Sequence, residues 1–356
     1  MTGINRRDFA RTLGAAMAGA LALRGTLAFA QESDLRLAVL DHVDPELREA
    51  ARALLASPSD FSEEALPAMR AATPPGDPLL PDVPVREVRV PASGALPEVT
   101  VQLVNSHPGQ ARPAVLHTHG GGYILGAAKL ELRFLQETAQ ALDCTVVSVE
   151  YRLAPETRFT GSVEDNYAAL LWLYRNADAL GVDPARIALM GESAGGGHAA
   201  LLAIAARDRG EVSLVLQALI YPMLDDRTGS TRQVAPHIGK ILWDSGANRF
   251  GWRSFLGVEP GGAAVPIAGV PARHEDLKGL APAFIGTGGL DLFVDEDVEY
   301  ARRLNDAGVP TELLVLPGAF HAFDRLVPAA RLSRTFTAIK HDALRRAFGM
   351  EPILAR

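Results

Sequence analysis

The feature that most constrains this chain is the stretch 188–197, where an apolar segment turns into a helix through a single serine. Residues 186–190 predict a short buried strand, and residues 198–206, rich in Ala and Leu, predict a helix. Between them stands Gly191-Glu192-Ser193-Ala194-Gly195. Such a turn strains the backbone of the serine and leaves no room for side chains at the flanking glycines. It predicts an exposed Ser193 hydroxyl at a helix N-terminus, where N–H groups face developing negative charge. A glycine-rich turn that merely packs closely would have the same pattern.

A second glycine-rich motif, His119-Gly120-Gly121-Gly122, follows the predicted strand 114–117. Glycines at such a place let backbone N–H groups approach a ligand. Together with the N–H of Ala194, those of Gly121 and Gly122 could form an oxyanion hole. His117 and His119 also form an H-x-H pair, but glycines follow where further metal ligands would be needed. We therefore predict no metal or other cofactor, and we expect His119 to hold the loop by hydrogen bonds.

A serine nucleophile needs a histidine base and an acid that orients it, in the chain order Ser, Asp or Glu, His for a sheet of this class. Asp291 follows the predicted strand 283–286, at a sheet edge where catalytic residues lie. His321 lies in the loop after the strand 312–316, and the only later histidine, His341, lies in a predicted helix. The order and placement predict a triad of Ser193, Asp291 and His321.

Three other carboxylates compete with Asp291, namely Asp295, Glu296 and Asp297. They begin the next predicted helix, where acidic side chains favour the helix dipole, and this position accounts for them without catalysis. His198 is close to Ser193 in sequence, but helical periodicity turns it away from the serine.

Composition fits a soluble globular enzyme, with 356 residues of which 48% are hydrophobic and 22% charged. The length allows one large domain with a smaller lid, or two domains. A net charge of -7 gives no sign of nucleic-acid binding. The single cysteine, Cys144, excludes an intramolecular disulfide and a cysteine-based metal site, and we expect it to be a small buried hydrophobe.

Residues 1–30 predict an export signal rather than part of the fold. Arg6 and Arg7 precede an apolar stretch at 13–23 that is too short to span a bilayer. Ala28-Phe29-Ala30 then forms an A-x-A cleavage pattern before Gln31. The segment resembles a twin-arginine (Tat) signal, so we expect the precursor to engage the Tat machinery and the mature protein to be periplasmic or secreted. An apolar cap helix is the alternative.

Residues 31–81 have a helical pattern. Asp44 is a plausible N-cap with Pro45 at the first helical position, and apolar residues from Leu47 to Leu55 then fall on one face. A second short helix begins at Ser62, and the stretch 73–78 is rich in Pro and Gly, as in a linker. Helices this short cannot form their own core, so we expect them to cover the main domain as a cap.

Residues 82–356 predict an α/β domain with an eight-stranded, mostly parallel sheet and helices on both faces. The strands 85–90 and 99–104 alternate and predict an antiparallel pair, whereas 114–117 and 144–149 are continuous apolar runs, as in a parallel sheet covered on both faces. Other strands are expected at 186–190, 214–220, 283–286 and 312–316, and helices at 130–142, 163–180, after Ser193, at 294–307 and at 328–348.

The segment at about 224–279 is loop-rich and longer than a simple crossover between two strands requires. We expect it to be a second cap insertion over the carboxyl edge of the sheet. Some of its aromatic residues would line the pocket, from among Trp243, Phe250, Trp252 and Phe255.

Taken together, the motifs resemble those of the bacterial hormone-sensitive-lipase-like (family IV) esterases, which are α/β-hydrolases. The matching pieces are His119-Gly120-Gly121-Gly122, Tyr151-Arg152-Leu153-Ala154-Pro155-Glu156, Gly191-Glu192-Ser193-Ala194-Gly195-Gly196, Asp291 with Asp295-Glu296, and His321-Ala322-Phe323. Two residues depart from the family pattern: Leu292 stands where proline is usual, and Ala322 where glycine is usual. Neither departure removes a reacting atom.

The resemblance implies a serine carboxylesterase with a helical cap that acts on short-chain esters through an acyl-enzyme. It also implies that Glu192, beside the nucleophile, supports the site, although a solvated turn residue would look the same in the sequence. An amidase or a carbohydrate deacetylase can use the same scaffold. A non-catalytic ligand receptor of this fold is a further alternative, but such receptors lack the triad histidine. The physiological ester and the oligomeric state are not predicted.

Overall fold

The computed structural model describes residues 38–57, 59–72 and 77–351. The predicted export signal at 1–30 and the first part of the predicted linker at 73–78 lie outside these residues. Within the described ranges, no helix has the length and apolar character needed to cross a membrane.

The centre of the molecule is the predicted eight-stranded sheet, in the order β1-β2-β4-β3-β5-β6-β7-β8. The first two pairings, β1 with β2 and β2 with β4, are antiparallel, and the other neighbours are parallel. The mostly parallel α/β fold is therefore confirmed. The strands are β1 (Val85–Val90), β2 (Val99–Val104), β3 (Arg112–Thr118), β4 (Thr145–Glu150), β5 (Val182–Glu192), β6 (Leu216–Ile220), β7 (Ala283–Gly288) and β8 (Thr311–Leu316).

Helices cover both faces of the sheet, with α3, α10 and part of α1 on one face and α4, α6 and α8 on the other. The helices are α1 (Arg48–Ala56), α2 (Leu66–Ala71), α3 (Leu132–Leu142), α4 (Phe159–Arg175), α5 (Ala177–Leu180), α6 (Ala194–Arg209), α7 (Ser245–Leu256), α8 (Val294–Asp306), α9 (Phe323–Leu326) and α10 (Arg331–Ala347).

Two predicted helices have other bounds in the structure. The helix expected at 163–180 begins at Phe159 and breaks at Asn176, whose side-chain amide donates a hydrogen bond to the carbonyl oxygen of Trp172 at 2.8 Å. A short amide side chain competes in this way with the helical backbone bonds. The helix expected at 328–348 begins only at Arg331, because Ala330 is extended, and the short α9 precedes it.

The N-terminal segment packs on the sheet domain, and its second helix begins at Leu66 and not at the predicted Ser62. The Asp44 carboxylate accepts a hydrogen bond from the N–H of Glu46 at 2.9 Å, and Pro45 begins a 3-10 turn that leads into α1. Leu47 and Leu55 are buried in the same apolar cluster as residues of α10. The segment therefore has no core of its own.

The insertion at 224–279 contains α7, whose N-terminus is capped by the Asp244 side chain. Its buried aromatic residues form an apolar cluster that includes Leu66 of α2. The Trp243 ring also meets Phe61 edge-on, with 4.8 Å between the ring centroids. A cavity of about 640 Å³ lies between the insertion and the N-terminal segment, with Leu54, Phe61 and Leu242 in its wall.

Candidate active site

The turn at Ser193 that joins β5 to α6, called the elbow below, has the strain that its sequence predicts. Ser193 has φ 57° and ψ -121°, a conformation that costs free energy for a non-glycine residue. A Cβ atom on Gly191 would lie 2.3 Å from the carbonyl oxygen of Gly195, and one on Gly195 would lie 2.0 Å from that of Thr118. Glycine is therefore required on both sides of the serine.

The serine is less exposed than expected, since only 7% of Ser193 is accessible to solvent. The prediction of an exposed hydroxyl is wrong in this respect. The reason is that the loop after β3 packs closely on the elbow: a Cβ atom on Gly120 would lie 3.6 Å from Cβ of Ser193 and 3.1 Å from the carbonyl oxygen of Glu192. The loop therefore covers part of the turn that carries Ser193.

His321 lies between Ser193 and Asp291 and contacts both. Its Nε2 is 3.0 Å from Oγ of Ser193, and its Nδ1 is 2.8 Å from Oδ2 of Asp291. The buried carboxylate of Asp291 also accepts a hydrogen bond from the N–H of Phe293 at 3.0 Å. A carboxylate accepts the Nδ1–H and leaves the Nε2 lone pair toward the hydroxyl. The structure brings the three predicted residues together at the carboxyl ends of β5, β7 and β8.

The competing carboxylates have other positions. Asp295 is exposed, as expected for the first turn of a helix, but Glu296 and Asp297 are buried, so the helix dipole does not account for them. The Glu296 carboxylate accepts hydrogen bonds from the N–H groups of Leu224 and Asp225 at 2.6 and 3.1 Å, and thereby ties the start of the insertion to α8. Sequence reasoning missed this role of Glu296. The only indication of it in the sequence is the run of acidic residues that begins at Asp295.

Burial and neighbouring carboxylates raise the pKa values of two of these acids, Glu296 and Asp297. Burial first, and then the charge of Asp225, raise the pKa of Glu296 well above its usual range. Burial, followed by the charges of Glu296 and Asp291, does the same to the pKa of Asp297.

The predicted oxyanion-hole glycines adopt backbone conformations that suit glycine. Gly121 has φ 125° and Gly122 has φ 59°. A Cβ atom on Gly121 would lie 2.1 Å from the carbonyl oxygen of Leu125. Ala194 is the first residue of α6. Within the described ranges, no protein acceptor takes the N–H of Gly121, Gly122 or Ala194. These donors are therefore free for a ligand.

His119 holds the loop that carries these glycines. Its Nδ1–H donates to the carbonyl oxygen of Gly120 at 2.8 Å, and its ring stacks on Tyr151 with 4.1 Å between centroids. The Tyr151 hydroxyl in turn donates to the carbonyl oxygen of His119 at 2.7 Å. Burial lowers the pKa of His119 to about 4, so the imidazole is neutral at neutral pH. These contacts agree with the expectation that His119 holds the glycine loop in place by hydrogen bonds.

Glu192 is buried, so its interpretation as a solvated turn residue is wrong. Its Oε2 is 2.8 Å from Nε2 of His117, whose Nδ1 is 2.8 Å from Oγ of Ser148. Burial tends to raise the pKa of Glu192, but His117, through charge and a hydrogen bond, together with the charges of Lys340 and Arg325, holds that pKa below its usual value. His117 and His119 thus have separate partners. Among the described residues, no group of three or more His, Cys, Asp or Glu could hold a metal ion.

The structure shows how Leu292 and Ala322, the two departures from the family pattern, are accommodated. Leu292 is fully buried and packs closely on Gly239 of the insertion, where a Cβ atom would lie 2.5 Å from its Cδ1. Ala322 has φ 59° and ψ 24°, the left-handed conformation that glycine adopts without strain. Alanine therefore keeps the backbone path that glycine would take, at some cost in stability.

Comparison with known proteins agrees with this geometry. Residues 115–325 match the family model described as the alpha/beta hydrolase fold. The carboxylesterase NlhH of Mycobacterium tuberculosis is 37% identical over 268 residues, which make up 72% of this chain and 81% of that protein. This chain belongs to the hormone-sensitive-lipase-like (family IV) esterases. The esterase is accordingly a carboxylesterase of the α/β-hydrolase superfamily.

Solved structures support the same assignment of the esterase. A bacterial heroin esterase is 38% identical, with a TM-score of 0.74, over 87% of this chain and 99% of that one. The esterase LipW from Mycobacterium marinum is 34% identical, with a TM-score of 0.75, over 87% of this chain and 97% of that one. The likeness therefore extends over most of both chains.

Sequence reasoning also missed a buried polar group behind His321, formed by Tyr221, Asp324 and Lys340. Its visible signal lies in α10, where Phe336, Lys340 and Leu344 are spaced by four residues and so share one face. A lysine in an otherwise apolar row marks a charge directed into the core.

Proposed function

We propose that this esterase hydrolyses short-chain carboxylic esters through an acyl-enzyme on Ser193. The observation that carries the proposal is the pair of hydrogen bonds at His321, 3.0 Å to the Ser193 hydroxyl and 2.8 Å to the Asp291 carboxylate. A serine in contact with a base, which is in contact with an orienting acid, is the arrangement that nucleophilic catalysis requires.

Acylation follows from this geometry. Neutral His321 accepts the hydroxyl proton at Nε2 while Oγ of Ser193 attacks the ester carbonyl carbon. Asp291 holds the imidazole in the Nδ1–H tautomer and stabilises the imidazolium that forms. The N–H groups of Gly121, Gly122 and Ala194 donate to the oxyanion. When the tetrahedral intermediate collapses, the bond to the alcohol breaks and His321 returns the proton to the leaving oxygen.

Deacylation repeats these steps with water as the nucleophile. His321 accepts a proton from water as the water oxygen attacks the acyl carbon, and the same N–H groups stabilise the second oxyanion. Collapse breaks the bond to Oγ of Ser193, which recovers its proton from His321. The products are one carboxylic acid and one alcohol for each ester and water consumed.

The proposed preference for short acyl chains is supported by the way in which the insertion and the N-terminal segment meet beside the oxyanion loop. Trp243 of the insertion meets Phe61 of the N-terminal segment, and the same ring packs on Gly122. Two segments that meet beside the oxyanion loop would bound the space for an acyl group. A bounded site would suit a soluble ester better than an oil–water interface.

Covalent labelling tests the nucleophile. Diisopropyl fluorophosphate should add one phosphoryl group to the wild-type protein, at Ser193, and none to Ser193→Ala, as judged by intact mass and peptide mapping. Ser193→Ala, Asp291→Asn and His321→Ala should each lower kcat/KM by several orders of magnitude, and their combination should be little worse than the worst single change. Circular dichroism should report folded variants. Near-normal activity of Ser193→Ala would show that another residue is the nucleophile.

We also propose that the protein is exported by the Tat machinery and acts in the periplasm or outside the cell. The support is Arg6-Arg7 before the apolar stretch and Ala28-Phe29-Ala30 before Gln31. Replacing both arginines by lysine should leave precursor in the cytoplasm, and mass spectrometry should find an exported protein that begins at or near Gln31. An exported protein that begins at Met1 would contradict the proposal.

A further inference from the structure

We propose that Lys340 is a positioning residue for His321, and that it acts through Asp324 and Tyr221. The inference rests on the proposed role of His321 as the base. It concerns a buried charge that the hydrolytic steps above do not use.

Lys340 lies in the interior although its side chain ends in an amine. The residue is fully buried in the apolar face of α10, and its Nζ makes no hydrogen bond to any group in the described ranges. Oδ2 of Asp324 lies 3.9 Å from that Nζ. The ring of Phe134 is 4.8 Å from the same nitrogen, at a distance that suits a cation–π contact. A buried charge is costly unless it is paired, so the placement depends on Asp324.

Asp324 connects this amine to the catalytic histidine. Its Oδ1 accepts a hydrogen bond from the Tyr221 hydroxyl at 2.9 Å. The Tyr221 ring packs edge-on against the His321 ring, with 5.0 Å between centroids and 66° between planes. On a further side, Phe293 meets the same imidazole at 5.3 Å. The orientation of His321 therefore depends on a tyrosine whose hydroxyl is held by Asp324.

The backbone conformation of Tyr221 independently indicates that the surroundings fix the position of this residue. The residue follows β6 with φ 36°, which is strained for a residue other than glycine. Its N–H donates to the carbonyl oxygen of Gly286 at 2.6 Å. Strain of this kind persists only where the surroundings determine the conformation, and it gathers at functional sites.

The other charges near this group have partners of their own. Arg325 forms an ion pair with Glu131. Its guanidinium group also lies over the ring of Phe134, with the guanidinium carbon 3.9 Å from the ring centre. Glu192 pairs with His117. His341, the next residue of α10, is kept neutral by burial, which lowers its pKa to about 3.

Lys340 and Asp324 therefore form a buried pair without net charge behind an imidazole that becomes positive during catalysis. Burial lowers the pKa of Lys340, and the charges of Asp324 and Glu192 oppose that change. Removal of either partner would take from the other its ion-pair partner, so that the remaining charge acts more strongly on His321. An unpaired Asp324 favours the imidazolium, whereas an unpaired Lys340 disfavours it.

Opposite shifts of the pH profile test the inference. The acid limb of kcat/KM reports the loss of the neutral base in the free enzyme. Lys340→Met should move this limb to higher pH by about half a unit, and Asp324→Asn should move it to lower pH by a similar amount. The double variant should return toward the wild-type profile. Equal profiles in all three variants, or shifts of one sign, would overturn the inference.

Matched variants separate positioning from folding and from the proposed function. Lys278→Met removes an exposed positive charge and should leave the acid limb unchanged. Tyr221→Phe keeps the ring but loses the hydroxyl, and should lower kcat about tenfold with little change in KM. Rates are normalised to active sites titrated with diisopropyl fluorophosphate. If Lys340→Met does not fold, Asp324→Asn and Tyr221→Phe still test the inference. Wild-type kinetics in both of these variants would reject the positioning role of Lys340.

His321→Ala belongs in the same series. Near-normal activity of this variant would reject the proposed function itself. An inactive His321→Ala, together with unshifted profiles in the charge variants, would reject only the role of Lys340.

Discussion

The indole of Trp243 occupies the space that a side chain at Gly122 would need, since a Cβ atom there would lie 2.2 Å from Cη2 of the ring. An insertion residue thus lies directly against the loop expected to bind the oxyanion. Gly122 also has φ 59°, so both its conformation and its surroundings favour glycine.

Gly122→Ala should lower kcat/KM by at least about a hundredfold, because either the N–H of residue 122 or the Trp243 ring must move. Gly94→Ala is a matched control. Gly94 has φ 62°, but a Cβ atom there would have no atom within 4 Å. Both changes should strain the backbone to a similar extent, so a loss of activity in the control as well would point to general destabilisation. Ester hydrolysis and thermal melting measure the two effects.

Ala322→Gly should stabilise the folded protein by up to about 1 kcal/mol, because alanine in the left-handed region is strained and glycine is not. Ala338→Gly, inside α10, should instead destabilise it by about 1 kcal/mol, since glycine weakens a helix interior. Urea unfolding gives both values. Activity should survive Ala322→Gly because no reacting atom changes. A destabilised Ala322→Gly would mean that the flexibility of glycine in the unfolded chain outweighs the relief of strain.

His198 should make the protein less stable in mild acid. It is buried against Tyr123 and Tyr151, neither ring nitrogen has a hydrogen-bond partner in the described ranges, and burial lowers its pKa from 6.5 to about 3. Between these values the unfolded state binds the proton and the folded state does not, so stability falls as pH decreases below 6.5. At pH 5 this one group should cost about 2 kcal/mol relative to pH 8.

His198→Phe removes that titration while it keeps an aromatic ring. The difference in unfolding free energy between pH 8 and pH 5 should therefore be smaller in the variant than in the wild type. Comparison of the two proteins cancels the contributions of the other buried groups, such as His119 and Glu296. An unchanged pH dependence would show that His198 accepts a proton in the folded protein without penalty.

The acyl-length profile should rise and then fall, with its maximum between acetyl and hexanoyl esters. Each added methylene that fits contributes about 0.8 kcal/mol, and one that does not fit costs about 1–3 kcal/mol. The measurement is kcat/KM for p-nitrophenyl esters from two to sixteen carbons. Phe61→Ala, which opens the contact with Trp243, should move the maximum to longer chains. A steady rise to the longest chains, with activation at an interface, would identify a true lipase.

The positions of the strands and the local motifs were accessible from the sequence because they depend on short-range rules. Alternating and continuous apolar runs distinguish the outer antiparallel pair from the buried parallel strands. The glycine at 191 follows from sterics within the turn, whereas Gly195 is also required by the neighbouring strand β3, through the carbonyl oxygen of Thr118. Asp291 and His321 could be selected because each follows a predicted strand and parallel strands direct their ends to one edge.

The buried polar contacts could not be predicted, because they join residues that are far apart in sequence. The bond from Tyr221 to Asp324 spans 103 positions, and that between His117 and Glu192 spans 75. A single sequence contains nothing that pairs them. The burial of Glu192, Asp297 and Lys340 was equally hidden, because charged residues are expected at the surface unless the fold supplies a partner.

The sequence by itself determined the α/β architecture, the strained serine turn and the identity of the residues that could act as nucleophile, acid and base, since each depends on local pattern and chain order. Only the tertiary structure decided that His321 lies within hydrogen-bond distance of both Ser193 and Asp291, that Trp243 packs against Gly122, and that Lys340 is buried beside Asp324. These contacts depend on how separate elements pack, and packing is a property of the whole fold.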